Sequence, residues 1–126
     1  MPASAAPPPD MSLRQLSDWA QGQARLLAAG FGLDADGADS AYFALAQTVK
    51  LGEEVGELHA EVLGALKYHR ADKAGQYHPG TLGGELADVM VCLALLAQIL
   101  DVDLAQAVTA KIGHLEARNH PAGQQA

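Results

Sequence analysis

Two short stretches carry the residues best suited to chemistry. Lys50-Leu51-Gly52-Glu53-Glu54-Val55-Gly56-Glu57-Leu58 and Gly84-Glu85-Leu86-Ala87-Asp88-Val89 each set acids three residues apart in apolar surroundings. On a helix, positions i and i+3 share a face, so Glu54 projects with Glu57 and Glu85 with Asp88. Carboxylates that close repel one another, and burying them without a counter-charge is costly. Two such helices packed antiparallel bring four carboxylates into one place. That all-oxygen donor set suits a hard divalent cation such as Mg²⁺, with Mn²⁺ as a substitute.

The elements that must position these acids are helices. Ser12 is placed to cap a first helix to about Ala29, with Leu13, Leu16, Ala20, Ala24 and Leu27 on one face and Gly30-Phe31-Gly32 ending it. Asp39 or Ser40 caps a second, predicted over about Ala41 to Arg70. Its core stripe is Leu51, Val55, Leu58, Val62, Ala65 and Leu66. Lys50, Glu54, Glu57 and Glu61 lie roughly 60–120° to one side, bordering the buried seam, whereas a merely solvated acidic face would lie opposite it. The polar run from Ala71 to Gly80 reads as a connection, and Thr81 as the cap of a third helix from Leu82 to Leu100. Beyond Asp88 that helix is apolar on nearly every side, which calls for burial all round and, in so short a chain, for a second subunit. Asp103 caps a fourth helix over Leu104 to about Arg118. No alternation typical of strands appears, and the expected fold is an all-α four-helix bundle completed by dimerisation.

Bulk properties narrow the function. A chain of 126 residues suits one domain, here 11–120, between a Pro-rich tail at 1–10, expected to be disordered, and a flexible tail at 121–126; Met11 is a second candidate start. A formal charge of −7 argues against a nucleic-acid-coating surface. Residues 1–10 lack the apolar region of a secretory signal, and Leu86–Leu100 is short for a membrane span and interrupted by Asp88 and Gln98. The single cysteine, Cys92, allows no internal disulfide and reads as a buried, inert thiol. A reducing cytoplasm fits these features. The five histidines show no zinc-ligand spacing.

The paired acids, the apolar run to Leu100 and the later Val102-Asp103-Leu104 and Lys111 closely resemble the MazG-like nucleoside triphosphate pyrophosphohydrolases. These belong to an all-α superfamily with dimeric dUTPases, dCTP pyrophosphatases and phosphoribosyl-ATP pyrophosphohydrolases. The resemblance covers about Ala44 to Arg118 and implies a MazG-like bundle, assembled as a homodimer or dimer of dimers. It implies Mg²⁺ held by Glu54, Glu57, Glu85 and Asp88, with Glu53 assisting the attacking water or a second ion. Lys111 and Arg118 fall where relatives place bases that meet the triphosphate. Lys50 is a further candidate for phosphate, although its i+4 spacing from Glu54 also suits an ordinary intrahelical ion pair. Glu61 lies outside the motif and reads as a helix-surface acid.

The implied reaction cleaves a nucleoside triphosphate between the α and β phosphates, giving the monophosphate and pyrophosphate. Bound divalent metal neutralises the phosphates and activates water for such chemistry. Relatives grip the base between apolar or aromatic groups, for which Trp19, Phe31, Tyr42 and Tyr68 are the candidates. The expected role is housekeeping of dUTP, dCTP or modified pyrimidine nucleotides. The stretch 61–76 lacks the Trp of some dCTP-directed relatives, and Cys92 stands where some have Tyr; both weigh against dCTP. Phosphoribosyl-ATP hydrolysis is the nearest rival activity, and a non-enzymatic helical adaptor is the alternative of another class. A ferritin-like di-iron bundle would need Glu-x-x-His pairs, which these acids lack.

Overall fold

A computed structural model describes residues 6–34, 37–66 and 80–120. Among them are four helices and no strand: α1 (Leu13–Gly30), α2 (Ser40–Ala65), α3 (Thr81–Ile99) and α4 (Leu104–Asn119). The expected connection at 71–79, the last residues assigned to the second helix (67–70), Tyr68 and the tail at 121–126 lie outside the described residues.

Local chemistry sets most of the helix ends. Ser12 forms a capping box with Gln15: its Oγ accepts from the Gln15 N–H, and the Gln15 side chain accepts from the Ser12 N–H. At the other end of α1, Gly32 has φ +67. Its N–H donates to Ala29 O at 3.0 Å, and the Leu33 N–H donates to Ala28 O at 2.8 Å. That is the Schellman closure, which glycine adopts without penalty. It turns the chain so that Phe31 and Leu33 fall on one side of the bundle. The same closure ends α3 at Asp101, with φ 56, and Val102 N–H donating to Ala97 O at 2.8 Å. Asp103 then caps α4, accepting from the Gln106 N–H at 3.0 Å, and takes both oxygens to Arg14 Nη2 at 2.9 and 3.1 Å. The Gln106 N–H and the Arg14 guanidinium hold this carboxyl below its ordinary value.

Two boundaries and one cap bond differ from the reading of the sequence. α2 ends at Ala65, not near Arg70, its last turn weakened by Gly64. Asp39 occupies the cap position of α2 but makes no cap hydrogen bond; its Oδ2 accepts from the Asp34 N–H at 2.9 Å and closes the preceding loop instead. Thr81 is the first helical residue of α3, not its cap, and its hydroxyl donates to Glu61 Oε2 at 2.5 Å across to α2.

α3 is the central element. It packs against α2 and α1, and α4 packs on α1. Thr81 meets Glu61 and Gln47 Nε2 donates to Cys92 O at 3.4 Å, so α2 and α3 run antiparallel. The core of the α1–α3 seam is Ala20, Ala24, Ala94 and Leu95, flanked by Leu16, Leu27, Val91, Ile99 and Leu104. Small alanines on both helices permit a close approach. Gln98 Nε2 donates to Ser17 O at 3.1 Å and satisfies a polar group in the same seam.

One protomer leaves much apolar surface uncovered. Leu86, Met90 and Leu93 on α3 are exposed, as are Leu45, Val49 and Leu63 on the far side of α2. The sequence calls for α3 to be buried all round with the help of a second subunit; one chain alone leaves this face of it open. At 19 residues it is long and apolar enough, by length and composition alone, to cross a membrane, a test that core helices of soluble proteins also pass.

Candidate metal centre and adjoining cavity

The antiparallel register of α2 and α3 brings Glu54 opposite the first half of α3. Ligand oxygens of Glu54, Glu85 and Asp88 lie within 4.8 Å of one another. Glu54 is only 8% exposed, Glu85 is partly buried and Asp88 is open to solvent. Glu54 Oε2 and Glu85 Oε2 are shut off from solvent and have no hydrogen-bond partner among the described residues. Buried polar atoms left so are uncommon and costly, and a water or an ion would satisfy them. Three convergent carboxylates offer only oxygen, the donor type that Mg²⁺ and Mn²⁺ take. The donor set therefore fits the divalent metal that the sequence suggests.

Glu57, expected as a fourth ligand, is exposed and is not in this group of three. It is nonetheless a close neighbour. Partial burial pushes the Glu85 carboxyl above its ordinary value, and the charges of Glu57, Asp88, Glu54 and Glu61 push it further, in that order. Glu61 is held by Thr81. Glu53 is exposed, 3.5 Å from Lys50 Nζ. Lys50 bonds Glu54 Oε1 more closely, at 3.1 Å, and that bond holds the ammonium above the usual lysine value.

A cavity of about 620 Å³ adjoins the acids. Glu54, Asp88 and Lys50 line it together with Phe31, Tyr42 and Phe43. Its lining is otherwise largely aliphatic, from Leu27, Leu33, Val91 and Leu95. Two carboxylates and an ammonium at one edge of an apolar chamber give a pocket that is charged at one end and apolar along its walls. Comparison with family models, curated proteins and solved structures returned no match. The site must therefore be read from its own geometry.

Of the aromatic candidates, Phe31 and Tyr42 line this cavity and leave most of their surface to solvent. Trp19 lines a different groove, against Pro7, Pro8 and Pro9 of the N-terminal segment, with Val91 bordering both. Lys111 and Arg118 are exposed on α4 and line neither. Cys92 is buried as expected, but at the cavity wall; burial first, then the charge of Glu54, pushes its thiol up and keeps it neutral. The reading of the sequence missed Gln47 and Phe43. Gln47 is a buried amide on the cavity wall, anchored on the Cys92 carbonyl. Its signal was present, since it lies seven residues before Glu54 and so on the same helical face.

The raised Glu85 carboxyl has a measurable consequence. Between its native value and about 4.5, the native state holds more protons than the unfolded chain. Stability contributed by this group therefore rises as pH falls through that window, and ionised Glu85 is a burden at neutral pH. Glu85→Gln should raise the metal-free melting temperature at pH 7, flatten that part of the pH profile and remove most of the stabilisation by Mn²⁺. Thermal unfolding followed by circular dichroism checks all three; an unchanged response to Mn²⁺ would mean that the ion binds elsewhere.

Proposed function

We propose that this chain is a divalent-metal-dependent nucleoside triphosphate pyrophosphohydrolase of the MazG-like kind. The observation that carries the reading is the convergence of Glu54, Glu85 and Asp88, two of them with orphaned buried oxygens, with Glu54 and Asp88 also lining the cavity that Phe31 and Tyr42 border. Glu54, Glu85 and Asp88 hold Mg²⁺ or Mn²⁺, with Glu57 joining from the next position along the helix face. When bound, the metal neutralises the phosphates and makes water more acidic.

The protein's own groups do the rest. Phe31 and Tyr42 take the base on their exposed ring faces, the aliphatic wall excludes water around it, and Gln47 supplies an amide at that wall. Water adds to the α-phosphorus, the bond to the bridging oxygen breaks, and pyrophosphate leaves with that oxygen. Glu53, exposed beside Lys50, accepts the proton of the attacking water. Lys111 and Arg118 are assigned to the triphosphate from a second copy of the chain. Substrates are soluble (d)NTPs, dUTP, dCTP or modified pyrimidine nucleotides, and the setting is cytoplasmic.

Assembly as a homodimer, or a dimer of dimers, belongs to the same reading. The exposed Leu86, Met90 and Leu93 of α3, and Leu45, Val49 and Leu63 of α2, are apolar surface that a second subunit would cover. Between the α2 residues stand Gly52 and Gly56, where an added Cβ would meet nothing, leaving room for a partner helix. Sedimentation at micromolar concentration should give a dimer or tetramer; a stable, active monomer contradicts it.

The activity is tested by pyrophosphate release, with Mg²⁺ and with Mn²⁺, across dUTP, dCTP, dTTP, dATP, dGTP, the ribonucleotides and phosphoribosyl-ATP. Release that depends on metal and selects among bases supports the reading. Turnover of phosphoribosyl-ATP alone assigns the chain to the rival activity, and no release from any substrate favours the adaptor.

A further inference from the structure

We propose that Lys50 is a built-in counter-ion that regulates loading of the acidic cluster by competing with a divalent cation for Glu54. The inference rests on the metal-centre reading above and concerns how that centre is filled. Its basis is geometric. Lys50 Nζ lies 3.1 Å from Glu54 Oε1 and 3.5 Å from Glu53 Oε2, and both Lys50 and Glu54 line the cavity. Glu54 is 8% exposed, and its other oxygen is enclosed without a partner, as is Glu85 Oε2. The buried carboxylate is thus satisfied on one oxygen by an ammonium and on the other by nothing in the described chain.

The two partners of that ion pair are unlike in mobility. Glu54 is fixed by burial, whereas the Lys50 side chain is 52% exposed and sits on a flexible four-carbon stem. It can withdraw into water; Glu54 cannot. A cation shared by Glu54, Glu85 and Asp88 brings two positive charges next to the resting place of a third. Charges of like sign at such a distance repel strongly where water is partly excluded. One leaves as the other enters. The two occupancies are therefore linked, and the apparent metal affinity is lowered by the fraction of molecules in which Lys50 holds Glu54. Before loading, the same ammonium offsets the repulsion among the three acids and lets α2 and α3 close. An ordinary i, i+4 pair on an open helix face has neither consequence, because its carboxylate serves nothing else.

The test titrates Mn²⁺ alone into wild type, Lys50→Met and Lys50→Arg by calorimetry and follows thermal unfolding of each without metal. Lys50→Met should bind Mn²⁺ more tightly, on the order of tenfold, as expected for two coupled sites. Its metal-free melting temperature should fall below that of wild type. Lys50→Arg, which keeps the charge, should stay near wild type in both and separates loss of charge from loss of fold. Wild-type or weaker Mn²⁺ affinity in Lys50→Met overturns the competition; if nucleotide affinity falls as well, Lys50 is a phosphate ligand instead. No Mn²⁺ binding to any of the three folded proteins overturns the metal-centre reading itself, and this inference with it.

Discussion

Replacing Glu54 by Gln is expected to remove pyrophosphate release almost entirely while leaving the fold intact. The substitution keeps the size of the side chain and removes a charge that is 8% exposed and half unsatisfied. Even partners that only orient a metal ligand typically cost 10–100-fold in metal affinity when removed. A direct ligand from a group of three should cost at least on the order of 10²-fold, with activity falling in parallel. Glu53→Gln is the contrasting variant. Glu53 is exposed, stands one residue away and bonds only Lys50 among the described residues, so its loss should leave most of the Mn²⁺ affinity in place. Turnover should nonetheless drop by about 10²–10⁴, the usual worth of a positioned general base. Calorimetry with Mn²⁺ beside pyrophosphate release separates the two roles. A near-wild-type rate in Glu53→Gln would remove it from the mechanism, and wild-type metal affinity in Glu54→Gln would remove the centre.

The second large effect concerns the fold. Leu95 is 5% exposed, sits in the α1–α3 seam with Ala20, Ala24 and Ala94, and also walls the cavity. Leu95→Ala should cost about 2–5 kcal/mol, the lost transfer energy plus the hole left behind. Among the described residues no large side chain is fully buried, so the seam has few other anchors. Against a typical total of about 5–15 kcal/mol, that loss should lower the melting temperature by roughly 10 °C or more. Saturating Mn²⁺ should return part of it, about 2.7 kcal/mol at roughly 100 times Kd, the gain expected of an ion that binds only the folded state. Thermal unfolding with and without Mn²⁺ reads both effects. A shift of only one or two degrees would mean that the seam is not the core of the protein.

Much of this architecture is written in short-range chemistry. Ser12 with Gln15, Gly32 after α1 and Asp103 before α4 punctuate the chain through groups within a few residues of themselves, which is why those ends were legible. Helical period alone put Glu54 and Glu57 together, and Glu85 with Asp88, on faces bordering the apolar seam. The same rule marks Lys50 as a partner of Glu54. Local rules did not settle which partner a side chain takes. Asp39 and Thr81 both look like caps, yet Asp39 closes its own loop and Thr81 reaches across to Glu61.

Tertiary structure decided the rest. Which acids converge depends on the rotation and slide of α3 against α2, marked by pairings such as Gln47 with Cys92 and Thr81 with Glu61. That register selects Glu54, Glu85 and Asp88 and leaves Glu57 outside the group of three. Packing also divides the aromatic residues, with Phe31 and Tyr42 at one cavity and Trp19 at another groove, and it makes the face that Gln47 shares with Glu54 a cavity wall. Spacing along one helix is fixed by the covalent chain at about 100° and 1.5 Å per residue. Spacing between helices is fixed only by how their side chains interlock, and residues far apart in sequence settle that together.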